Sequence, residues 1–279
     1  MMLKHNKDSG LRRPDHEWSP TGAFVLIGLF LLLSGLLVLP LGISTHQAAG
    51  SGPEMNALTA REASQGWRLL FDGETFNGWI GVGRTTVPAG IWVIEDGAIK
   101  KVARENYPRG SDGESVDGGN LRTSEVFQNF EFSLEWKVAP GTNSGIKYNV
   151  FPGDPGRHNS LGFEYQILDD ASYADLGILH KTGALYELYP PSDKKQLRPA
   201  GEYNQTRILL NGTHGEHWLN GEKIVEYEID SQTMRDAFAE SKWSGNQEFL
   251  NRRVAPLVFQ DHGGAVWYRN IKIRPLPAQ

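Results

Sequence analysis

The sequence predicts an all-β protein, a two-sheet jelly-roll sandwich preceded by one N-terminal transmembrane helix. Three observations carry this. Several runs alternate apolar and polar residues, two Asn-Gly dipeptides separate such runs at hairpin spacing, and 32 Gly, 8 Trp and 9 Tyr suit short strands joined by tight turns. At 279 residues the length fits one sandwich as well as two smaller domains, and no repeat or change of composition divides it. With a net charge of −5 there is no basic footprint for nucleic acid. Without cysteine there is no disulfide framework, thiolate metal site or thiol nucleophile.

Taken in order, residues 1–21 read as a cytoplasmic segment carrying Lys4, Lys7, Arg12 and Arg13. Residues 22–43, GAFVLIGLFLLLSGLLVLPLGI, are uncharged and long enough to cross a bilayer as a helix. The cations before this run orient the rest of the chain outside the cytoplasm, in the periplasm or at the cell surface. The exit sequence Ser44–Gly50 lacks an A-x-A cleavage signal, which favours an uncleaved signal anchor over a signal peptide. Residues 44–65 read as a polar flexible linker, and residues 66–276 as one folded domain.

Within that domain, Ile91–Ile94 and Ala98–Val102 flank Glu95-Asp96-Gly97 as a hairpin. Phe130, Phe132, Leu134, Trp136 and Val138 alternate with polar residues as a long half-buried strand, and Ile146, Tyr148 and Val150 continue the pattern past Pro140–Asn143. In GFEYQILDD (162–170), Phe163, Tyr165 and Ile167 share one strand face while Glu164 and Gln166 share the other. Arg207–Leu210, Glu216–Leu219 and Lys223–Ile229, split by Asn211-Gly212 and Asn220-Gly221, form a three-stranded meander. Asp230–Ser241 alone has helical spacing, and Val258–Gln260 and Val266–Ile273 close the sheets. Glu105–Asn120 and Gly153–Ser160 are polar and too long for tight turns, so they read as rim loops over a binding face.

The segments LFDGETFNGW (70–79), NFEFSLEWKVAPGTNSGIKY (129–148), GFEYQILDD (162–170), TGALYELYPP (182–191), HWLNGEKIVEYE (217–228) and FQDHGGAVWYRNIKIRPL (259–276) together resemble the 3-keto-disaccharide hydrolase family, also described as 3-keto-glucoside 1,2-lyase / 3-keto-2-hydroxy-glucal hydratase. The resemblance implies a concanavalin-like jelly roll acting on glycosides oxidised at C3. The Glu105–Asn120 insertion is the main departure from the commonest members, and it bears on substrate shape.

A 3-keto glycoside has an acidified C2–H, so a base removes that proton, the C1 oxygen leaves and water adds to the resulting enone. Such a site needs a base near C2, an electrophile at the ketone oxygen and an acid near the leaving oxygen. Glu164 is the leading carboxylate, as base or metal ligand, with Gln166 beside it for a hydroxyl or the keto oxygen. Lys147 projects away from the core, to steady the enolate or simply as a solvated sheet lysine. In Gln260-Asp261-His262-Gly263, Gln260 and His262 share a direction, and His262 suits proton transfer or metal ligation. The family motif puts this reading of His262 ahead of a structural one.

Tyr186, in a loop ending Pro190-Pro191, is the best sugar-stacking candidate, whereas Trp79, Trp92 and Tyr189 are expected in the core. Asp169 and Arg122 are further substrate contacts, as are Arg157 and His158, although Asp169 and Asp170 serve equally well as turn residues. No spaced His/Asp/Glu set specifies a metal, so a divalent cation is left open. Nothing binds a nicotinamide, so a separate oxidoreductase must make the ketone. Two alternatives stand beside the lyase/hydrolase. One is a non-catalytic carbohydrate-binding jelly roll. The other is an ordinary glycosidase, which needs a second carboxylate about 5–10 Å from Glu164 that no local spacing supplies.

Overall fold

The computed structural model describes residues 54–111, 113–114, 118–151 and 160–277. The expected anchor over 22–43 and the candidates Arg157 and His158 lie outside the described residues. Among the described residues no helix is long and apolar enough to cross a membrane.

Two antiparallel sheets form a sandwich, consistent with the expected jelly roll. In chain order the strands are β1 (Arg68–Leu69), β2 (Trp79–Gly81), β3 (Trp92–Glu95), β4 (Ala98–Lys101), β5 (Leu121–Thr123), β6 (Phe130–Val138), β7 (Asn143–Tyr148), β8 (Phe163–Leu168), β9 (Asn204–Asn211), β10 (His214–Leu219), β11 (Glu222–Glu228), β12 (Val258–Phe259) and β13 (Val266–Pro275). The larger sheet runs β11-β10-β9-β6-β13-β4-β3, with β1 also on β13, and the smaller runs β2-β5-β12-β7-β8. Between them lies one main core, to which β6 gives Phe130, Phe132, Leu134, Trp136 and Val138 and the smaller sheet gives Ile146, Tyr148, Phe163, Tyr165 and Ile167.

Turn chemistry sets the hairpins. Asp96 and Gly97, and likewise Asn220 and Gly221, all have positive φ, which two-residue type I′ turns demand. The β9–β10 turn sits one residue later than expected. Asn211 pairs with His214, so the loop is Gly212-Thr213, with only Gly212 at positive φ as in a type II′ turn. β6 and β7 do not pair. The Pro140-Gly141 turn carries the chain from one sheet to the other, and Asp169 holds it by accepting from Gly141 N at 2.8 Å.

The flexible-linker expectation fails for residues 54–65. α1 (Ala60–Ser64) is capped by Thr59 and Glu62 in a reciprocal capping box. Asn56 exchanges hydrogen bonds with Asn270 and donates to Gly97 O, and Lys272 ion-pairs with Glu62. The ordered fold therefore reaches back beyond residue 66. The helix expected at 230–241 is α2 (Gln232–Glu240), capped by Ser231, whose Oγ accepts from Met234 N at 3.0 Å.

A polar network crosses the core. Fully buried His217 places Nδ1 2.9 Å from Gly183 O and Nε2 2.6 Å from Tyr148 Oη, which lies 2.9 Å from Tyr227 Oη. A proton on Nδ1 facing the carbonyl leaves Nε2 to accept from Tyr148. Burial depresses the imidazole pKa to about 4. An unfolded histidine takes its proton near 6.5, so the stabilising difference is complete above that pH and is lost as pH falls from about 6.5 to about 4. Urea unfolding should show a decline of up to ~3 kcal/mol across that window. His217→Gln should flatten the decline, whereas a slope unchanged in that variant would assign it to other groups.

Candidate active site

The site is built on the face of the smaller sheet that points away from the core. Directly opposed residues of antiparallel strands share a face. Arg122 pairs with Val258, Val258 with Lys147, and Lys147 with Glu164, which sets these four in one row. A bridge between Tyr165 and Leu185, with Tyr186 N donating to Glu164 O at 3.0 Å, extends the row to Tyr186. One step along the strands, Gly145 pairs with Gln166 and accepts from Gln260 N on its other side.

Gly145 is where Glu164 rests. A Cβ built there would lie 2.2 Å from Glu164 Oε1 and 2.9 Å from its Cδ, so any side chain pushes the carboxylate aside. A displacement of about 1 Å at a reacting group costs on the order of 10²-fold in rate. Gly145→Ala should therefore lower kcat/KM by about that factor while the far-ultraviolet spectrum stays unchanged. Wild-type turnover in this variant would mean that the Glu164 position is not critical.

β8 was expected to have a solvated open face, but all six of its residues are buried. Ser160–Gly162, Tyr186, the Lys242-Trp243 pair after α2 and the Gln260–His262 segment raise walls over it. With Asn143, Lys147, Glu164 and Gln166 they enclose a cleft of about 740 Å³. Glu164 is 7 % exposed, with Lys147 Nζ 3.4 Å from its Oε2. Burial raises the Glu164 pKa above the ordinary carboxyl value, against the pull of Lys147 and the charges of Lys242 and His262. Gln166, 1 % exposed, donates through Nε2 to Asn143 Oδ1 at 3.3 Å, while its Oε1 is buried without a partner among the described residues. An orphaned acceptor on a cleft floor is a place for a ligand hydroxyl.

The structure thus brings together Glu164, Lys147, Gln166, Gln260, His262 and Tyr186. Arg122 and Asp169 are not among the cleft-lining residues. Arg122 shares the row but lies beyond Val258, with Nη1 donating to Thr123 O at 3.1 Å. Asp169 binds Gly141 N and Ser172 Oγ, so its carboxylate closes a turn, and the substrate role expected for it gives way to that one. Tyr186 is not an open stacking platform, because Lys242 Nζ covers its ring at 4.2 Å. Trp79 and Trp92 are buried, as expected, and hydrogen-bond to Leu70 O and Gly119 O.

Asp261 points away from Gln260 and His262 into a buried anchor. Lys101, wholly buried, holds Asp261 Oδ1 at 3.1 Å and donates to Gly263 O at 2.6 Å and Gly264 O at 3.1 Å. Tyr107 also donates to Oδ1, Gly119 N donates to Oδ2 at 2.8 Å, and Asp261 N donates to Asn120 Oδ1 at 2.9 Å. The 105–120 insertion, read as a rim loop, therefore ties its ends beneath the segment that carries Gln260 and His262. None of its described residues lines the cleft.

Lys101, Lys242, Trp243 and Asn143 were not found from the sequence. Lys101 had a signal, since it shares a strand face with Ile99, and a lysine at a core-facing position demands a buried counter-charge. Lys242 and Trp243 had none, because their place depends on where the chain returns after α2. A trio of metal-type donors, His214, Glu216 and Glu226, gathers within 4.8 Å on β10 and β11 of the larger sheet. Lys223 ion-pairs with both carboxylates there, at 3.2 and 2.6 Å.

With this geometry in view, residues 66–274 match the family described as the 3-keto-alpha-glucoside-1,2-lyase-like domain. The chain belongs to this family. A relative from Bacteroides thetaiotaomicron named 3-keto-disaccharide hydrolase is 33 % identical over 246 residues, covering 80 % of this chain and 83 % of its own. A crystal structure of a candidate glycosyl hydrolase from Parabacteroides distasonis aligns with a TM-score of 0.69 and 31 % identity, over 80 % of this chain and all of the other. A second structure from that organism aligns at a TM-score of 0.57 and 24 % identity, over 75 % of this chain and 99 % of the other, and supports the fold alone. The matched span begins on the N-terminal side of β1 and ends within β13, so it contains both sheets and the cleft.

Proposed function

We propose that this protein cleaves 3-keto glycosides or disaccharides by elimination and hydration, a net hydrolysis. The observation that carries the reading is the buried Glu164 carboxyl, raised in pKa, beside Lys147 and the unpartnered Gln166 Oε1. A base for a carbon acid gains from a raised pKa, since it takes a proton more readily when it is ionised. Glu164 removes the C2 proton, and the electron pair moves onto the C3 oxygen, where the Lys147 ammonium steadies the enolate. The pair then returns to re-form the ketone, C1=C2 forms and the C1 oxygen departs. Water adds across the enone, and C2 takes back its proton. Gln166 accepts from a sugar hydroxyl, Gln260 holds another, and His262 exchanges the site's protons with solvent. This sequence differs from ordinary glycosidase chemistry, in which two carboxylates flank an oxocarbenium-like centre.

The same reading has residues 22–43 anchor the protein in a membrane, with the folded domain in the periplasm or at the cell surface. A separate oxidoreductase supplies the ketone. Incubation of the protein with a 3-keto disaccharide in D2O tests the proposal. Free sugar should appear, with deuterium at C2 of the released keto sugar. Tight binding of the unoxidised disaccharide with no turnover of its keto form would favour a carbohydrate-binding module instead.

A further inference from the structure

The reaction needs a proton donor for the departing oxygen, and the cleft holds a group suited to that task. Tyr186 is the cross-strand neighbour of Glu164, linked through Tyr186 N to Glu164 O at 3.0 Å and the adjoining Tyr165–Leu185 bridge. Opposed side chains of this kind start about 5 Å apart at Cβ, so the two groups can reach adjacent atoms of one sugar ring. Lys242 Nζ donates to the phenolic oxygen at 2.9 Å, and the phenolic proton has no acceptor among the described residues.

Lys242 itself is firmly held. It ion-pairs with Glu187 Oε1 at 2.9 Å and lies over the rings of Tyr186 and Trp243 at 4.2 and 4.7 Å. Trp243 stacks on Phe249, and Phe249 on Phe238 of α2. Glu187 also takes His180 Nε2 at 3.0 Å, and it has φ +69°, a conformation rarely adopted outside glycine and asparagine. Strained backbone of this kind persists only where its surroundings hold it in place. Partial burial would lower the Lys242 pKa, but hydrogen bonds to Tyr186 and Glu187 and the Glu187 charge keep it raised, so Lys242 remains an ammonium.

We propose that Tyr186 is the general acid for the departing glycosidic oxygen and that Lys242 is the residue that stabilises its phenolate. The assignment rests on the elimination reading above. As the C1–O1 bond breaks, O1 takes the Tyr186 proton and leaves as an alcohol, while the Lys242 hydrogen bond offsets the charge left on the phenolate. In the hydration half, the phenolate takes a proton from water as the hydroxyl oxygen bonds to C1. C2 recovers its proton from the Glu164 carboxyl. Both side chains end as they began, with one water consumed and no oxidant or reductant involved.

The test compares leaving groups. Tyr186→Phe should release sugar from a 3-keto disaccharide on the order of 10²-fold more slowly. On a 4-nitrophenyl 3-keto-glucoside, whose phenolate needs no proton to depart, it should lose less than about threefold. Deuterium exchange at C2 should survive in the variant, because the base is intact. Lys242→Met should show the same leaving-group pattern more weakly, and Lys242→Arg should recover part of the loss. Equal losses on the two substrates, or loss of C2 exchange in Tyr186→Phe, would overturn the acid role while leaving the elimination reading intact. A wild-type protein that neither exchanges C2 nor releases sugar would overturn that reading and the role of Tyr186 with it.

Discussion

Glu164→Gln should lower kcat for a 3-keto disaccharide by about 10³-fold or more and abolish deuterium exchange at C2. A positioned general base contributes on the order of 10²–10⁴ in rate, and Gln keeps the shape of the side chain while removing its basicity. The two readouts must fall together, because proton abstraction precedes loss of the C1 oxygen. KM should change little, since Gln166, Gln260 and Tyr186 still line the cleft. In the wild type, the acid limb of kcat/KM should fall above the ordinary carboxyl range, as burial raises the Glu164 pKa against the opposing charge of Lys147. Retention of C2 exchange in the Gln variant would move the base elsewhere in the cleft.

Lys101→Met should have the largest effect on stability. It leaves Asp261, whose side chain is 10 % exposed, without its cation while Tyr107 and Gly119 still hold it in place. Removing one partner of a buried ion pair typically costs about 3–5 kcal/mol, because the remaining charge stays desolvated. The loss should appear in urea unfolding at pH 7. The double variant Lys101→Met/Asp261→Asn should recover part of it, because no buried charge is then left alone. Activity should fall in the single variant even at temperatures where it is folded, because Lys101 also binds the carbonyls of Gly263 and Gly264 just after His262. Equal stability of the two variants would argue against a special cost of the uncompensated carboxylate.

The β-rich architecture could be read because its determinants are local. Alternation in 130–138, the positive-φ turns at Asp96-Gly97 and Asn220-Gly221, and the Ser231 cap of α2 each depend on a few adjacent residues. The same alternation put Glu164 and Gln166 on one face, and Gln260 and His262 on one side of their segment. The errors came from residues whose partners lie far along the chain. Asn56 and Glu62 looked like tether until Asn270 and Lys272 were alongside them. Asp169 looked like a ligand until Gly141 approached it.

By itself, then, the sequence determined the strands, their faces, the family and the residue types on the open face of β8. Periodicity and turn propensity act over a few bonds, so they are written in the chain order. Tertiary structure alone decided that this face is a walled cleft, with Lys242 and Trp243 brought in from the end of α2 and Asp261 turned away to meet Lys101. Burial and charge pairing depend on distances between segments far apart along the chain, 160 residues for Lys101 and Asp261 and 210 for Glu62 and Lys272. Those distances set the raised Glu164 carboxyl and the hydrogen bond from Lys242 to Tyr186, and no reading of local pattern contains them.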